Sequence, residues 1–102
     1  MATRQGRIIE IRRIGDGDRS EFEVMVHDAR GETRHHVTMD RTTCERLTVG
    51  QFSAEQCLEA SFQFLLDREP KESILKRFDI TLISRYFPEF EQELPHYLSK
   101  AK

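Results

Sequence analysis

Ser20-Glu21-Phe22-Glu23-Val24-Met25-Val26-His27-Asp28 places Phe22, Val24 and Val26 on one side of the chain, with polar residues mostly on the other. A period of two marks a half-buried strand, because successive side chains leave a strand on opposite faces. Similar runs flank it: Arg7-Ile8-Ile9-Glu10-Ile11-Arg12-Arg13-Ile14 before, and Glu32-Thr33-Arg34-His35-His36-Val37-Thr38-Met39 after. Gly15-Asp16-Gly17-Asp18 and Ala29-Arg30-Gly31-Glu32 supply the turns between them. Asp16-Gly17 suits a two-residue type I′ hairpin, whose central residues both need positive φ. That turn sets Ile11 opposite Phe22 and Ile9 opposite Val24. A second turn at Arg30-Gly31 sets Phe22 opposite Met39, Val24 opposite Val37 and Val26 opposite His35. Ile9, Ile11, Phe22, Val24, Val26, Val37 and Met39 then share one face, which a one-residue slip would send to solvent. The expected sheet is a three-stranded antiparallel meander over 7–14, 20–28 and 32–39, covered on one side.

The cover has to come from the rest of the chain. A short helix over 41–47 is expected, with Thr42 and Glu45 at capping-box spacing and Thr48-Val49-Gly50 ending it. Ser53 and Gln56 repeat that spacing ahead of the strongest helical pattern, over 54–68. There Ala54, Leu58, Ser61, Phe62 and Leu65 form a stripe that Cys57, Phe64 and Leu66 widen. So broad a stripe suits a helix held between a sheet and other helices. Glu69-Pro70 ends it, since proline disfavours helix in the residue before it. Pro70 is placed to open a helix over 71–77. Asp79 is placed to cap another over 80–87, and Pro88 to precede a last one over 89–98 that Pro95 interrupts. Ser99-Lys100-Ala101-Lys102 reads as a frayed tail. The fold expectation is therefore α+β in a single domain: a meander packed against one long and several short C-terminal helices.

At 102 residues the chain suits one core, burying roughly 65% of the surface that the unfolded form exposes. No apolar run approaches the ~20 residues that cross a bilayer, and Met1-Ala2-Thr3-Arg4-Gln5-Gly6 offers no secretory stretch. A soluble cytoplasmic protein without membrane contact is the expectation. The formal net charge of −2 lacks the basic excess through which proteins bind phosphate backbones, so nucleic acid is not the expected partner. Every basic residue before Gly50 is an arginine and every lysine follows it. An arginine-rich sheet could hold an anion, although a salt-bridged solvent face is the simpler reading. Cys44 and Cys57 form no Cys-x-x-Cys pair and, without a secretory signal, imply free thiols.

Chemistry-bearing patterns are sparse. In the expected register His27 and His36 lie diagonally on adjacent strands, close enough for two metal ligands, but no third ligand is evident. His35 and His36 point to opposite faces and cannot chelate together. No nucleophile elbow, zinc-protease helix or glycine-rich phosphate loop is present, so no catalytic residue, metal or cofactor is expected and an enzyme is not. The densest polar cluster is Asp67-Arg68-Glu69-Pro70-Lys71-Glu72-Ser73. Charges of alternating sign around a proline can cap a broken helix, or they can form a recognition surface. A second candidate is a helix-turn-helix over 73–87, with Thr81, Ser84 and Arg85 toward a groove and Lys76 and Arg77 toward phosphates. Its turn lacks glycine, and Glu89, Glu91 and Glu93 follow it, where they would repel DNA.

Ala60-Ser61-Phe62-Gln63-Phe64-Leu65-Leu66-Asp67-Arg68-Glu69-Pro70-Lys71-Glu72-Ser73-Ile74-Leu75, followed by Arg77-Phe78-Asp79-Ile80 and Ile83-Ser84-Arg85-Tyr86-Phe87-Pro88-Glu89, resembles a family of small bacterial proteins of this length. No function is assigned to that family, so the resemblance implies a bacterial cytoplasmic protein and carries over no site residue. The functional expectation is a non-catalytic interaction module that meets an unknown protein partner through Arg68, Glu69, Lys71, Glu72, Arg77 and Arg85. DNA binding by 73–87 is the alternative. Phe87, Phe90 and Tyr97 either complete the core or form a dimer face, so the oligomeric state stays open.

Overall fold

The computed structural model describes residues 7–17 and 19–100. Strands β1 (Ile8–Asp16), β2 (Arg19–Asp28) and β3 (Gly31–Asp40) form an antiparallel meander. Helices α1 (Arg41–Thr48) and α2 (Ala54–Leu66) follow. A short strand β4 (Arg77–Asp79) and helices α3 (Leu82–Tyr86) and α4 (Phe90–Lys100) complete the chain. The α+β class agrees with the sequence, but the sheet has four strands in the order β1-β2-β3-β4. No single long helix covers it, because α2 and α4 are similar in length and pack on each other. No helix of the described residues is long and apolar enough to cross a membrane.

The expected face is the one that is buried, although both hairpins pair differently. Ile9 lies opposite Val26, Ile11 opposite Val24 and Phe22 opposite Val37, a shift of two residues in each hairpin. Two residues is one full period of a strand, so every side chain keeps its face. Phe22, Val24, Val26, Val37 and Met39 are buried, with Ile9 and Ile11 packed against them. The first turn shifts because Asp16 pairs with Ser20, after a bulge between Arg13 and Gly15. The expected two-residue Asp16-Gly17 turn is therefore not formed; Asp18 lies outside the described residues, as do Met1–Gly6. The second turn centres on Ala29-Arg30, where the Asp28 carboxylate accepts the Arg30 N–H at 2.8 Å and Gly31 takes φ 131°. This side-chain mimic of a turn hydrogen bond outcompetes the Arg30-Gly31 placement.

Asp40, rather than Thr42, caps α1 by accepting the Thr43 N–H at 3.0 Å. The reciprocal Ser53–Gln56 box opens α2 as its spacing predicts. That helix stops two residues short of 68, because Arg68 and Glu69 both turn their N–H groups back to the Leu65 carbonyl. The largest departure follows. Pro70 precedes a single 3-10 turn, Lys71–Ser73, instead of a helix to Arg77, and the chain then extends into β4. β4 runs parallel to β3, pairing His36 with Arg77, Val37 with Phe78 and Thr38 with Asp79. Phe78 and Ile80 are buried while Arg77 and Thr81 are exposed, which is the period of a strand. The edge of β3 decides it, since its unpaired groups accept a strand there. Asp79 still serves the next helix, accepting the Thr81 N–H at 3.1 Å, but α3 spans only Leu82–Tyr86.

α4 runs unbroken through Pro95 and includes Ser99 and Lys100, so only Ala101 and Lys102 of the expected tail lie outside the described residues. Phe90 is fully buried, and Phe87 and Tyr97 pack on the core. All three ring Phe64, with centroids 5.8, 5.1 and 5.9 Å away for Phe87, Phe90 and Tyr97. They complete the core.

Candidate functional site

After Pro70 the chain makes one 3-10 turn and extends into β4. Between the end of α2, the 3-10 turn, β4 and α3 lies a groove of about 410 Å³. Its floor is Leu65, Ile74, Phe78 and Ile83, all buried, and its rim carries Leu75 and Tyr86, 45% and 65% exposed. Among the described residues, Glu69 and Ser73 are the hydrophilic side chains of a lining otherwise apolar but for the Tyr86 hydroxyl. The volume is at the small end of ligand and anchor pockets, suited to one large side chain or a small molecule.

Glu69 differs from its charged neighbours. Its carboxylate has no hydrogen bond or ion pair among the described residues, and burial alone pushes its pKa up. A partly buried carboxylate without a protein partner is incompletely hydrated, and a cation arriving from outside would offset that.

The rest of the expected recognition surface is divided. The Arg68 guanidinium lies 3.7 Å over the Phe64 ring and donates to the Phe64 carbonyl and to Glu89, both at 3.2 Å, so it clamps α2 to the segment before α4. Lys71 is only 2% exposed; its ammonium meets Asp28 at 2.9 Å and Glu72 at 2.6 Å, locking the β2–β3 turn to the 3-10 turn. Those partners hold the Lys71 pKa above the usual lysine value. Arg77 and Arg85 are exposed, on β4 and α3. Of the six expected site residues, Glu69 alone lines the groove. Leu75, Phe78, Leu82 and Tyr86 belong to it as well, and sequence reading missed them as a site by placing 71–87 on helices. Their signal is the adjacent pair Ile74-Leu75, only one of which an extended segment can bury.

The remaining candidates take other roles. Residues 73–87 hold a 3-10 turn end, a strand and a five-residue helix, so the paired helices of a helix-turn-helix are absent from that segment. The corrected register sets His27 opposite Glu32 and His36 opposite Glu23, four residues apart along the sheet rather than diagonal neighbours. His27 sits 3.4 Å from both Glu10 and Glu32, and His36 lies 3.1 Å from Glu21. No group of three metal-ligating side chains occurs among the described residues. Both thiols are free, and burial pushes Cys57 up to about 12 and raises Cys44, away from the reactive thiolate form.

No family model matches this chain, and comparison with curated proteins and with solved structures returns no match.

Proposed function

We propose that this chain is a non-catalytic interaction module whose groove seats a segment of a protein partner. An apolar or aromatic side chain fills the pocket and an adjacent lysine or arginine meets Glu69. The observation that carries the reading is the unpaired, partly desolvated Glu69 carboxylate at an apolar groove. The apolar floor supplies affinity through burial, and the carboxylate supplies orientation and charge selection. Arg77 and Arg85, on the elements that build the groove, are available to acidic residues of the same partner. With two free thiols, the reducing cytoplasm is the compartment we assign.

Selection from a displayed library of random peptides tests this. Peptides with an aromatic or aliphatic residue beside Lys or Arg are expected to enrich on the wild-type protein and to be lost on Leu75→Glu. A charge-assisted hydrogen bond is worth about 1.5–3 kcal/mol, so Glu69→Gln should weaken the selected peptides by about tenfold or more. Glu69→Lys should favour acidic neighbours instead. No enrichment, or peptides that bind Leu75→Glu equally well, would contradict the reading.

A further inference from the structure

The outer edge of the sheet carries a second interaction surface, independent of the groove. Among the described residues β1 pairs with β2 alone, so the backbone groups of its other edge have no strand partner there. Such an edge is a template for another strand, and proteins usually blunt it with charge or a bulge. Here the bulge falls between Arg13 and Gly15, at the far end, and leaves the run from Ile8 to Arg13 regular.

That run has a symmetry of its own. Ile8-Ile9-Glu10-Ile11-Arg12-Arg13-Ile14 places an isoleucine three residues either side of Ile11, and opposite charges one residue either side. We propose that β1 pairs antiparallel with β1 of a second copy about a two-fold axis through Ile11. Glu10 and Arg12, which meet His27 and Glu23 within their own chain, are then set with Glu10 of each copy opposite Arg12 of the other, twice over. Ile8, 59% exposed, comes beside Ile14 of the other copy, 47% exposed, which sits in the bulge just past the regular run. These two account for the large apolar exposure on β1. Two-fold symmetry requires a self-complementary surface, and this strand meets that requirement in both charge and apolar content. The two sheets join edge to edge, leaving both grooves open.

Sedimentation velocity over a range of concentrations tests the pairing. Wild-type protein is expected to show a monomer–dimer equilibrium that salt weakens. Glu10→Arg sets arginine against arginine at both crossing points, and Arg12→Glu sets glutamate against glutamate. Each alone should raise the dimer dissociation constant at least about tenfold, as reversal of two cross-strand ion pairs implies. An equimolar mixture of the two variants should dimerise again, because the arginine introduced in one then meets the glutamate introduced in the other. The double variant Glu10→Arg/Arg12→Glu should dimerise by itself, and circular dichroism verifies that every variant is folded. A wild-type protein that stays monomeric throughout would overturn the proposal. So would single variants that dimerise like wild type, or folded single variants whose mixture stays monomeric.

Discussion

Val49 ends α1 with φ 53°, a left-handed backbone that a β-branched side chain adopts only under strain. Its N–H closes on the Glu45 carbonyl, so the turn is needed although the residue is poorly suited to it. Val49 is exposed, so Val49→Gly removes strain without opening a cavity. It should stabilise the domain by about 1 kcal/mol, measured by chemical denaturation. His35 is a second residue with a defined cost. Its Nδ1–H donates to the Leu75 carbonyl at 2.8 Å, which leaves Nε2 to accept the Thr33 hydroxyl at 2.9 Å, and its ring lies against Phe62. Burial lowers its pKa below the ordinary 6.5. The unfolded imidazole therefore takes up a proton before the folded one, so stability is full above 6.5 and declines as pH falls toward the folded value. Thermal midpoints should drop as pH falls below the ordinary histidine value, and His35→Gln should flatten that slope.

At the scale of elements, what the sequence reveals depends on whether a pattern is local. The meander's buried face is legible because its period of two survives a two-residue register shift. The register is not, because the Asp28 side chain and the bulge near Gly15 choose the turns. The Ser53–Gln56 box announces α2 locally, whereas 71–80 is ambiguous: Ile74 and Phe78 suit a helix face, while Phe78 and Ile80 suit a strand. Only the open edge of β3, a tertiary fact, resolves it. Glu69 is legible as part of a charged corner, but its lack of a partner among the described residues is not, since Arg68 and Lys71 are taken by other groups. Hydrogen exchange reads this region directly. The amides of His36 and Ile80, which donate across the β3–β4 junction at 2.7 and 2.9 Å, should be strongly protected. Phe78→Ala should cost about 3 kcal/mol and release that protection first.

For the whole molecule, stability and recognition fall on different residues. The sheet face, α2 and the ring cluster around Phe64 form one core, and Arg68 and Lys71 tie its outer segments down. Lys71→Ala should therefore lower the thermal midpoint, and the loss should be full at neutral pH. The ion pairs need Asp28 charged and Lys71 protonated; Asp28 is held below and Lys71 above its ordinary value. Their stabilisation is lost only in strong acid or strong alkali. Leu75→Glu, on the exposed rim, should change stability by no more than about 0.5 kcal/mol while abolishing peptide binding. The charge state of Glu69 tests the central claim most directly, by carbon-13 NMR titration of its side-chain carboxyl. The account predicts a pKa above the usual glutamate range in the free protein, falling when a selected cationic peptide binds. A Glu69 that titrates at or below the ordinary value would mean a solvated or internally paired carboxylate, with no loss of hydration for a cationic partner to offset.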